Sequence, residues 1–167
     1  MTRPRNRSQG RVLRLLSAAV LCLLMVLVTR SAHAADRLYY FWSFSVPEAS
    51  LKAALADGEK VGLVAVLRGL PEGSAKAALL RVKQLLGGRS IEVEIDPILF
   101  HLYGITEVPT IVYAEGVNPA CEHCEPAPRH WKVVGDVPLS TALDQLSRST
   151  PSVEKMLQRL REGFYSK

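Results

Sequence analysis

Apolar residues along the chain fall into short runs that differ in length and in period. Residues 38–44 are dense in aromatic residues, which predicts a buried strand. Residues 61–67 form a continuous apolar run of strand length, the pattern of a strand that is covered on both faces. Residues 90–95 alternate strictly between polar and apolar, which predicts a strand with one solvated face near a sheet edge. Two further strands are predicted at residues 111–113 and 130–134.

Between these strands the apolar residues recur every three or four positions, which is the period of amphipathic helices. Ser45 and Glu48 have the spacing of a capping box at the first helix, and Gly58 is expected to end it. In the second helix Leu79 is predicted to belong to the buried stripe. The predicted helices cover residues 47–56, 74–86, 97–103, 138–146 and 151–161.

The order of these elements predicts an α/β fold with a mixed sheet flanked by helices. Right-handed crossovers make the first strands parallel, whereas a hairpin around residues 118–128 supplies antiparallel ones. This order resembles that of thioredoxins. The predicted organisation is one thioredoxin-like domain over residues 35–150, followed by a C-terminal helix or tail over residues 151–167.

The first 34 residues differ from the rest of the chain. Five arginines precede a run of 14 apolar or small residues at positions 15–28, and Ala32-His33-Ala34 follows with the spacing that signal peptidase recognises. The alternative is an uncleaved anchor, but the run is shorter than the roughly 20 residues that a spanning helix needs. The pattern predicts a signal peptide over residues 1–34, a periplasmic protein, and inner-membrane contact only before cleavage.

Removal of this segment changes the charge balance. The segment holds six of the 21 basic residues and no acidic residue, so the rest of the chain carries 15 basic and 16 acidic side chains. Nucleic-acid binding needs a basic surface that displaces counterions from phosphates. The balance therefore predicts no nucleic-acid partner, and no motif predicts a cofactor.

Two cysteines, Cys121 and Cys124, are spaced C-x-x-C within a polar insertion at residues 118–128. In an exported protein they predict a disulfide, which would add about 2 kcal/mol and stiffen the insertion more than the domain. A metal site with His123 or His130 is one alternative, although a second ligand pair is absent. A displaced redox pair is the other, although the strand-to-helix setting that lowers a thiol pKa is missing.

Three stretches of the sequence together resemble one known family. They are residues 41–52 (FWSFSVPEASLK), 66–70 (VLRGL) and 95–110 (IDPILFHLYGITEVPT). Over roughly residues 39–134 the chain resembles the TrbC family of pilus-assembly proteins from F-type conjugative transfer systems. The resemblance implies a periplasmic, thioredoxin-like protein that assembles the conjugative pilus of a type IV secretion system. Its implied partners are TraW-like pilus-assembly proteins or pilin.

Thioredoxin-type enzymes place a thiolate at the N-terminus of the helix that follows their first functional strand, where the helix dipole lowers the thiol pKa. The corresponding residues here are Phe44, Ser45, Val46 and Pro47. Serine forms no disulfide, and Ser45 is expected to act as a helix cap. We therefore predict no catalytic residue at this position and no enzymatic activity there.

The resemblance also places Val108, Pro109 and Thr110 at the cis-proline loop, beside that helix. A groove retained there without cysteines would bind an extended peptide or a partner protein, unless Pro109 only shapes the turn. The predicted docking residues are these three together with Ser45, Val46, Pro47 and Arg68. Arg68 is expected to be solvated, or to pair with Asp96 or with a partner carboxylate. The predicted function is a periplasmic scaffold that binds pilus-assembly partners or pilin without redox catalysis. The alternative is a thiol–disulfide oxidoreductase or isomerase that uses the two cysteines of the insertion.

Overall fold

The computed structural model describes residues 34–71 and 74–165, so the predicted signal peptide lies outside the described residues except for Ala34. The described residues form five strands: β1 (Ala35–Trp42), β2 (Leu63–Leu67), β3 (Glu92–Ile95), β4 (Thr110–Val117) and β5 (His130–Val134). The helices are α1 (Glu48–Val61), α2 (Ala75–Leu86), α3 (Pro97–Leu102), α4 (Leu139–Ser147) and α5 (Glu154–Tyr165), with a 3-10 turn at Pro151–Val153. None of these helices is long and apolar enough to cross a membrane.

The strands form one mixed sheet in the order β3-β2-β1-β4-β5. Strands β1, β2 and β3 are parallel, and β4 and β5 are antiparallel to their neighbours. This confirms the predicted α/β, thioredoxin-like arrangement, in which crossover helices join parallel strands and a hairpin adds the last two. The alternating strand β3 lies at the sheet edge, as its pattern predicts.

The sheet separates two hydrophobic cores of unequal size. Because successive residues of a strand point to opposite faces, Tyr40 and Trp42 enter the larger core, whereas Tyr39 and Phe41 enter the smaller one. Residues of α1, α2, α4 and α5 cover the larger core, and the six-residue α3 with the turn after it covers the smaller one. Among the described residues, both cores are formed by residues from Leu38 onward.

The start of helix α1 differs from its prediction. The helix begins at Glu48, with Pro47 at the N-cap position and no side-chain cap, so the predicted capping box is wrong. Val46 N–H donates to Ser43 C=O at 3.1 Å, which closes a turn before the helix. That turn leaves the Ser45 hydroxyl against Ser43 Oγ at 2.6 Å, two residues before the N-cap.

The end of helix α1 also differs from its prediction. Gly58 lies inside the helix and is buried, and the helix ends at Gly62, whose φ of 70° is left-handed. A Cβ at Gly58 would lie 2.9 Å from Leu63 Cβ, so glycine is required there for close packing of α1 on β2. The prediction that Gly58 ends the helix is therefore wrong.

Helix α2 has the predicted ends but a narrower buried stripe. Ser74 Oγ accepts from Ala77 N–H at 3.3 Å, and Gly87 ends the helix with a left-handed φ of 57°. Leu79, which was expected to be buried, is 52% exposed. The helix contacts the core through one stripe only, formed by Ala78, Val82 and Leu85.

Candidate functional site

The sheet brings most of the predicted site residues to one edge, which we call the Pro109 edge. It comprises the loop of residues 43–47 after β1, Arg68 after β2, and residues 103–110 leading into β4. Parallel pairing of Trp42 with Leu67, and antiparallel pairing of Phe41 with Thr110, align these three segments at the same end of the sheet. The two cysteines of the insertion are not part of this edge.

The loop after β1 presents Ser45 and Pro47 to solvent and buries Val46. Within the described residues, the only hydrogen-bond partner of the Ser45 side chain is Ser43. A serine nucleophile needs an adjacent base to remove its proton, and a second serine is not one. Neither of these two hydroxyls can carry out thiol–disulfide exchange.

Phe44, in the same loop, is held between two side chains. Its ring meets the Trp42 ring edge-on at 5.4 Å between centroids, and the Arg81 guanidinium lies 5.0 Å from its centroid on helix α2. These contacts leave Phe44 half-buried. The loop therefore presents an ordered aromatic surface next to Ser45.

The Val108–Pro109 peptide bond is cis, as the resemblance implies. Pro109 and Thr110 are both buried; Pro109 C=O accepts from Gly135 N–H at 2.9 Å, and Thr110 Oγ1 donates to Glu107 C=O at 2.7 Å. Their side chains therefore do not reach solvent. Of these three predicted docking residues, only the half-buried Val108 presents its side chain at the surface.

Two cations hold the chain that leads to Pro109. Arg68 Nη2 donates to Ile105 C=O at 2.8 Å, with its guanidinium 4.9 Å from the Phe100 ring centroid. Lys132 Nζ donates to the carbonyls of Tyr103 and Gly104 at 3.0 and 3.2 Å. Arg68 is exposed, as expected, but it pairs with a carbonyl and not with a carboxylate such as Asp96. We assign it to the positioning of this loop.

The backbone groups of Val108 lie between two occupied carbonyls. In residues 34–71 and 74–165 no hydrogen bond uses its N–H or C=O group, whereas the carbonyls of Glu107 and Pro109 are both occupied. Unpaired backbone groups in an ordered loop can bond to another extended chain. Val108 therefore offers a donor and an acceptor in a loop whose conformation is already fixed.

Two shallow cavities lie beside this edge. One of about 290 Å³ is lined by Arg68, Phe100, Ile105 and Thr106, among others. The second, of about 250 Å³, lies between α1 and the start of α4, where Ser50 Oγ donates to Asp136 Oδ2 at 2.7 Å.

Burial, and then the Asp136 carboxylate, raise the pKa of Tyr40 to about 12, so that this core tyrosine stays neutral.

The insertion carries the predicted disulfide between Cys121 and Cys124, and it lies against the smaller core. Tyr39 Oη, on the smaller-core face of β1, donates to the Glu122 carboxylate. His123 Nε2 contacts Asp96 Oδ2 at 2.5 Å. The insertion therefore packs on the domain through side chains that flank the disulfide.

Asp96 joins the insertion to helix α3. Its Oδ1 accepts from the N–H groups of Ile98 and Leu99 at 2.8 and 3.0 Å, while Oδ2 meets His123. Burial opposes ionisation of Asp96, but the hydrogen bonds from Leu99, His123 and Ile98 outweigh it and lower the pKa of this carboxyl. One side chain therefore begins a helix and anchors a loop.

Glu94 has the opposite electrostatic setting. Burial, followed by the neighbouring carboxylates of Glu122, Glu92 and Asp96, raises its pKa.

Among the described residues no group of three or more His, Cys, Asp or Glu side chains is arranged to hold a metal ion. Both thiols are also used in the disulfide, and so they are not free to act as ligands.

Comparison with known proteins gives two matches in sequence. The model of a family described as type-F conjugative transfer system pilin assembly protein matches residues 40–146. The periplasmic protein TrbC of Escherichia coli strain K12 is 42% identical over 74 residues, which are 44% of this chain and 35% of that protein. The match thus spans about a third of the length of that relative.

Two solved structures align with the chain at low sequence identity. One is the pneumococcal exposed lipoprotein thioredoxin Etrx1 of Streptococcus pneumoniae TIGR4, with a TM-score of 0.45, 15% identity, and coverage of 70% of this chain and 87% of that one. The other is dsbF of MTB in mixed oxidized and reduced forms, with a TM-score of 0.41, 13% identity, and coverage of 79% and 83%.

Proposed function

This chain belongs to the family of type-F conjugative transfer system pilin assembly proteins, and we propose that it acts there as a docking scaffold without redox catalysis. Its ligand is an extended segment of another pilus-assembly component, such as a TraW-like protein, or of pilin. The observation that carries the proposal is at the Pro109 edge. Within residues 34–71 and 74–165 the Val108 backbone is ordered and unpaired, and the family resemblance supports the proposal because it aligns Ser45 with the thiol of thioredoxin-type enzymes.

Docking at this edge uses the backbone first. A carbonyl of the bound strand accepts a hydrogen bond from Val108 N–H, and an N–H group of that strand donates to Val108 C=O. Because these bonds involve only backbone groups, the affinity depends little on the ligand's sequence. Phe44 and Pro47 add apolar side chains on the opposite side of the edge. Because Arg68 and Lys132 already hold the loop in place, binding orders few additional residues and loses little conformational entropy.

Action in the periplasm is part of the same proposal. The predicted signal peptide supports it, and so does the related protein from Escherichia coli, which is named as periplasmic. The test is to fractionate cells and to sequence the N-terminus of the protein that they accumulate. A protein in the periplasmic fraction that begins at Ala35 is expected. A full-length product that stays with the inner membrane would contradict the localisation.

The docking role is tested by photocrosslinking in cells that assemble the conjugative pilus. A photoreactive residue at Pro47, which is exposed on the Pro109 edge, is expected to crosslink to a pilus-assembly protein or to pilin. The matched control places the same residue at Lys155, which is exposed on helix α5. Equal crosslinking from both positions, or none from Pro47, would reject this edge as the docking surface.

A second candidate function, thiol–disulfide exchange through the insertion, is favoured by one observation. Cys124 is exposed, and therefore accessible to a partner thiolate that would attack its sulfur and break the Cys121–Cys124 bond. Completion of the exchange leaves two thiols here and a disulfide in the partner. Reduction of a disulfide substrate in the presence of a dithiol protein tests it. Turnover that disappears in Cys121→Ser would establish this function and reject a purely structural role.

A further inference from the structure

We propose that the outer face of helix α2 binds the surface of a bilayer that contains anionic phospholipids. The face consists of Lys76, Leu79, Leu80 and Lys83, which we call the α2 patch. These residues are three or four positions apart, so their side chains are neighbours on the helix surface. This inference is independent of the docking function of the Pro109 edge.

The leucines of the α2 patch are not explained by the fold. Leu79 and Leu80 are each 52% exposed, although the same helix buries Ala78, Val82 and Leu85 against the sheet. Leu80 lies almost opposite the buried stripe, since it is two positions from both Ala78 and Val82. Two neighbouring exposed leucines on one helix form an apolar surface, and its transfer from water to an apolar environment is favourable in free energy.

Along helix α2 the charged residues have a single sign, although Arg81 at its margin lies near the Glu48 carboxylate of helix α1. Between Ser74 and Ser90 the chain has four basic residues and no acidic one, whereas the rest of the chain after residue 34 has 11 basic and 16 acidic residues. Neither Lys76 nor Lys83 has an ion-pair partner within the part of the chain that the structure describes. Arg81 and Arg89 extend the basic surface at its margins.

This combination matches the interface of an anionic bilayer. The leucines can enter the boundary between headgroups and acyl chains, while the lysine stems extend alongside and place their ammonium groups among lipid phosphates. A helix surface is convex, so it meets a broad membrane surface without needing a complementary groove. At 12 residues, helix α2 is too short to span the bilayer, and contact is peripheral and reversible.

Co-sedimentation with vesicles tests the proposal on the protein purified in the form that cells accumulate. We expect binding to vesicles of equal parts phosphatidylglycerol and phosphatidylcholine, weaker binding at high salt, and none to phosphatidylcholine alone. Lys76→Gln with Lys83→Gln is expected to weaken binding roughly 25-fold, since each cation contributes about fivefold near an anionic surface. Leu79→Gln with Leu80→Gln is expected to reduce binding as well, and without a loss of salt dependence.

The matched control is Lys155→Gln with Arg159→Gln, which removes two exposed positive charges from helix α5. Retained binding in this control, with melting temperatures equal across the set, supports the α2 patch. Equal binding to both vesicle types would overturn the proposal, and so would an equal loss in the control. Failure to bind phosphatidylglycerol vesicles would also overturn it, and would assign the patch to an acidic protein partner.

Discussion

The Pro109 edge and the disulfide insertion are the two regions of this domain in which a thioredoxin-like protein could carry chemistry, and they are built in opposite ways. The edge has Ser43 and Ser45 in contact with each other and no cysteine, and within the described residues the Val108 backbone makes no hydrogen bond. In the insertion the sulfur is present, but Glu122 and His123 between the two cysteines are occupied by Tyr39 and Asp96.

The difference teaches that reactive side chains and available backbone hydrogen-bonding groups lie in separate regions of this domain. The insertion has the reactive side chains, but its contacts fix it over the smaller core, where the short helix α3 leaves part of the sheet to be covered. The edge has no reactive side chain, but its backbone groups are presented in a fixed conformation. Available hydrogen-bonding capacity therefore distinguishes the two regions better than the cysteines do.

The largest expected effect on stability comes from Asp96→Ala, which breaks the attachment of the insertion. The change removes the cap of α3 and the contact with His123 together, for a loss of about 2–3 kcal/mol. At about 4 °C per kcal/mol, the melting temperature falls by roughly 10 °C. Asp96→Asn keeps the capping oxygen and should lose less than half as much; an equal loss would show that the cap is not what matters.

The second-largest effect on stability is expected when the disulfide is removed by Cys121→Ser together with Cys124→Ser. Because the closed loop is short, the loss is about 2 kcal/mol, or roughly 8 °C in melting temperature, with the sheet intact by circular dichroism. We expect partner binding at the Pro109 edge to be unchanged. A drop well beyond 10 °C would mean that the insertion holds the whole domain together.

Arg68→Ala sharpens the account of the edge itself. Loss of the hydrogen bond to Ile105 C=O costs about 1 kcal/mol and roughly 4 °C in melting temperature. The loss in free energy of partner binding should exceed this loss in stability, because the loop before Pro109 is no longer held in its binding conformation. Arg129→Ala, which removes an exposed arginine stacked on Trp131, is the control and should leave binding intact.

The smallest effect is expected for Glu94→Gln, and it depends on pH. Because the pKa of Glu94 is raised in the folded protein, its folded state favours the protonated form, and stability is lost as pH rises through that pKa. The amide removes this cost, so the variant should melt slightly higher than the parent at pH 7. At a pH well below the ordinary glutamate value of 4.5, the two proteins should melt alike. A higher melting temperature at both pH values would mean that packing and not charge is responsible.

Much of the fold follows from local sequence signals. The strand patterns gave the sheet and its edge, and Ser74 and Gly87 marked the ends of α2 because caps depend on a few adjacent residues. Gly58 was misassigned because its role depends on the distance to Leu63 on another element. Ser45 was misassigned because Ser43 offers a competing partner in the turn.

The candidate site was harder to predict than the fold. The segments that meet at the Pro109 edge could be assigned from the family resemblance, and the disulfide from the cysteine spacing. The roles of Arg68 and Lys132 could not be assigned, because a side chain that bonds to a backbone carbonyl leaves no complementary residue type in the sequence. The open backbone of Val108 likewise has no sequence signal.

The most direct test of the central claim compares partner capture by two variants that each introduce a glutamate. Val108→Glu places a charge at the half-buried position proposed for docking, whereas Gln158→Glu places one on the exposed face of helix α5. In a pull-down from periplasm of cells that assemble the pilus, Val108→Glu is expected to lose at least about tenfold in capture, which corresponds to about 1.4 kcal/mol of binding free energy. Gln158→Glu should retain it, with both variants folded. Equal capture by the two variants would contradict the claim that this edge is the working surface of the protein.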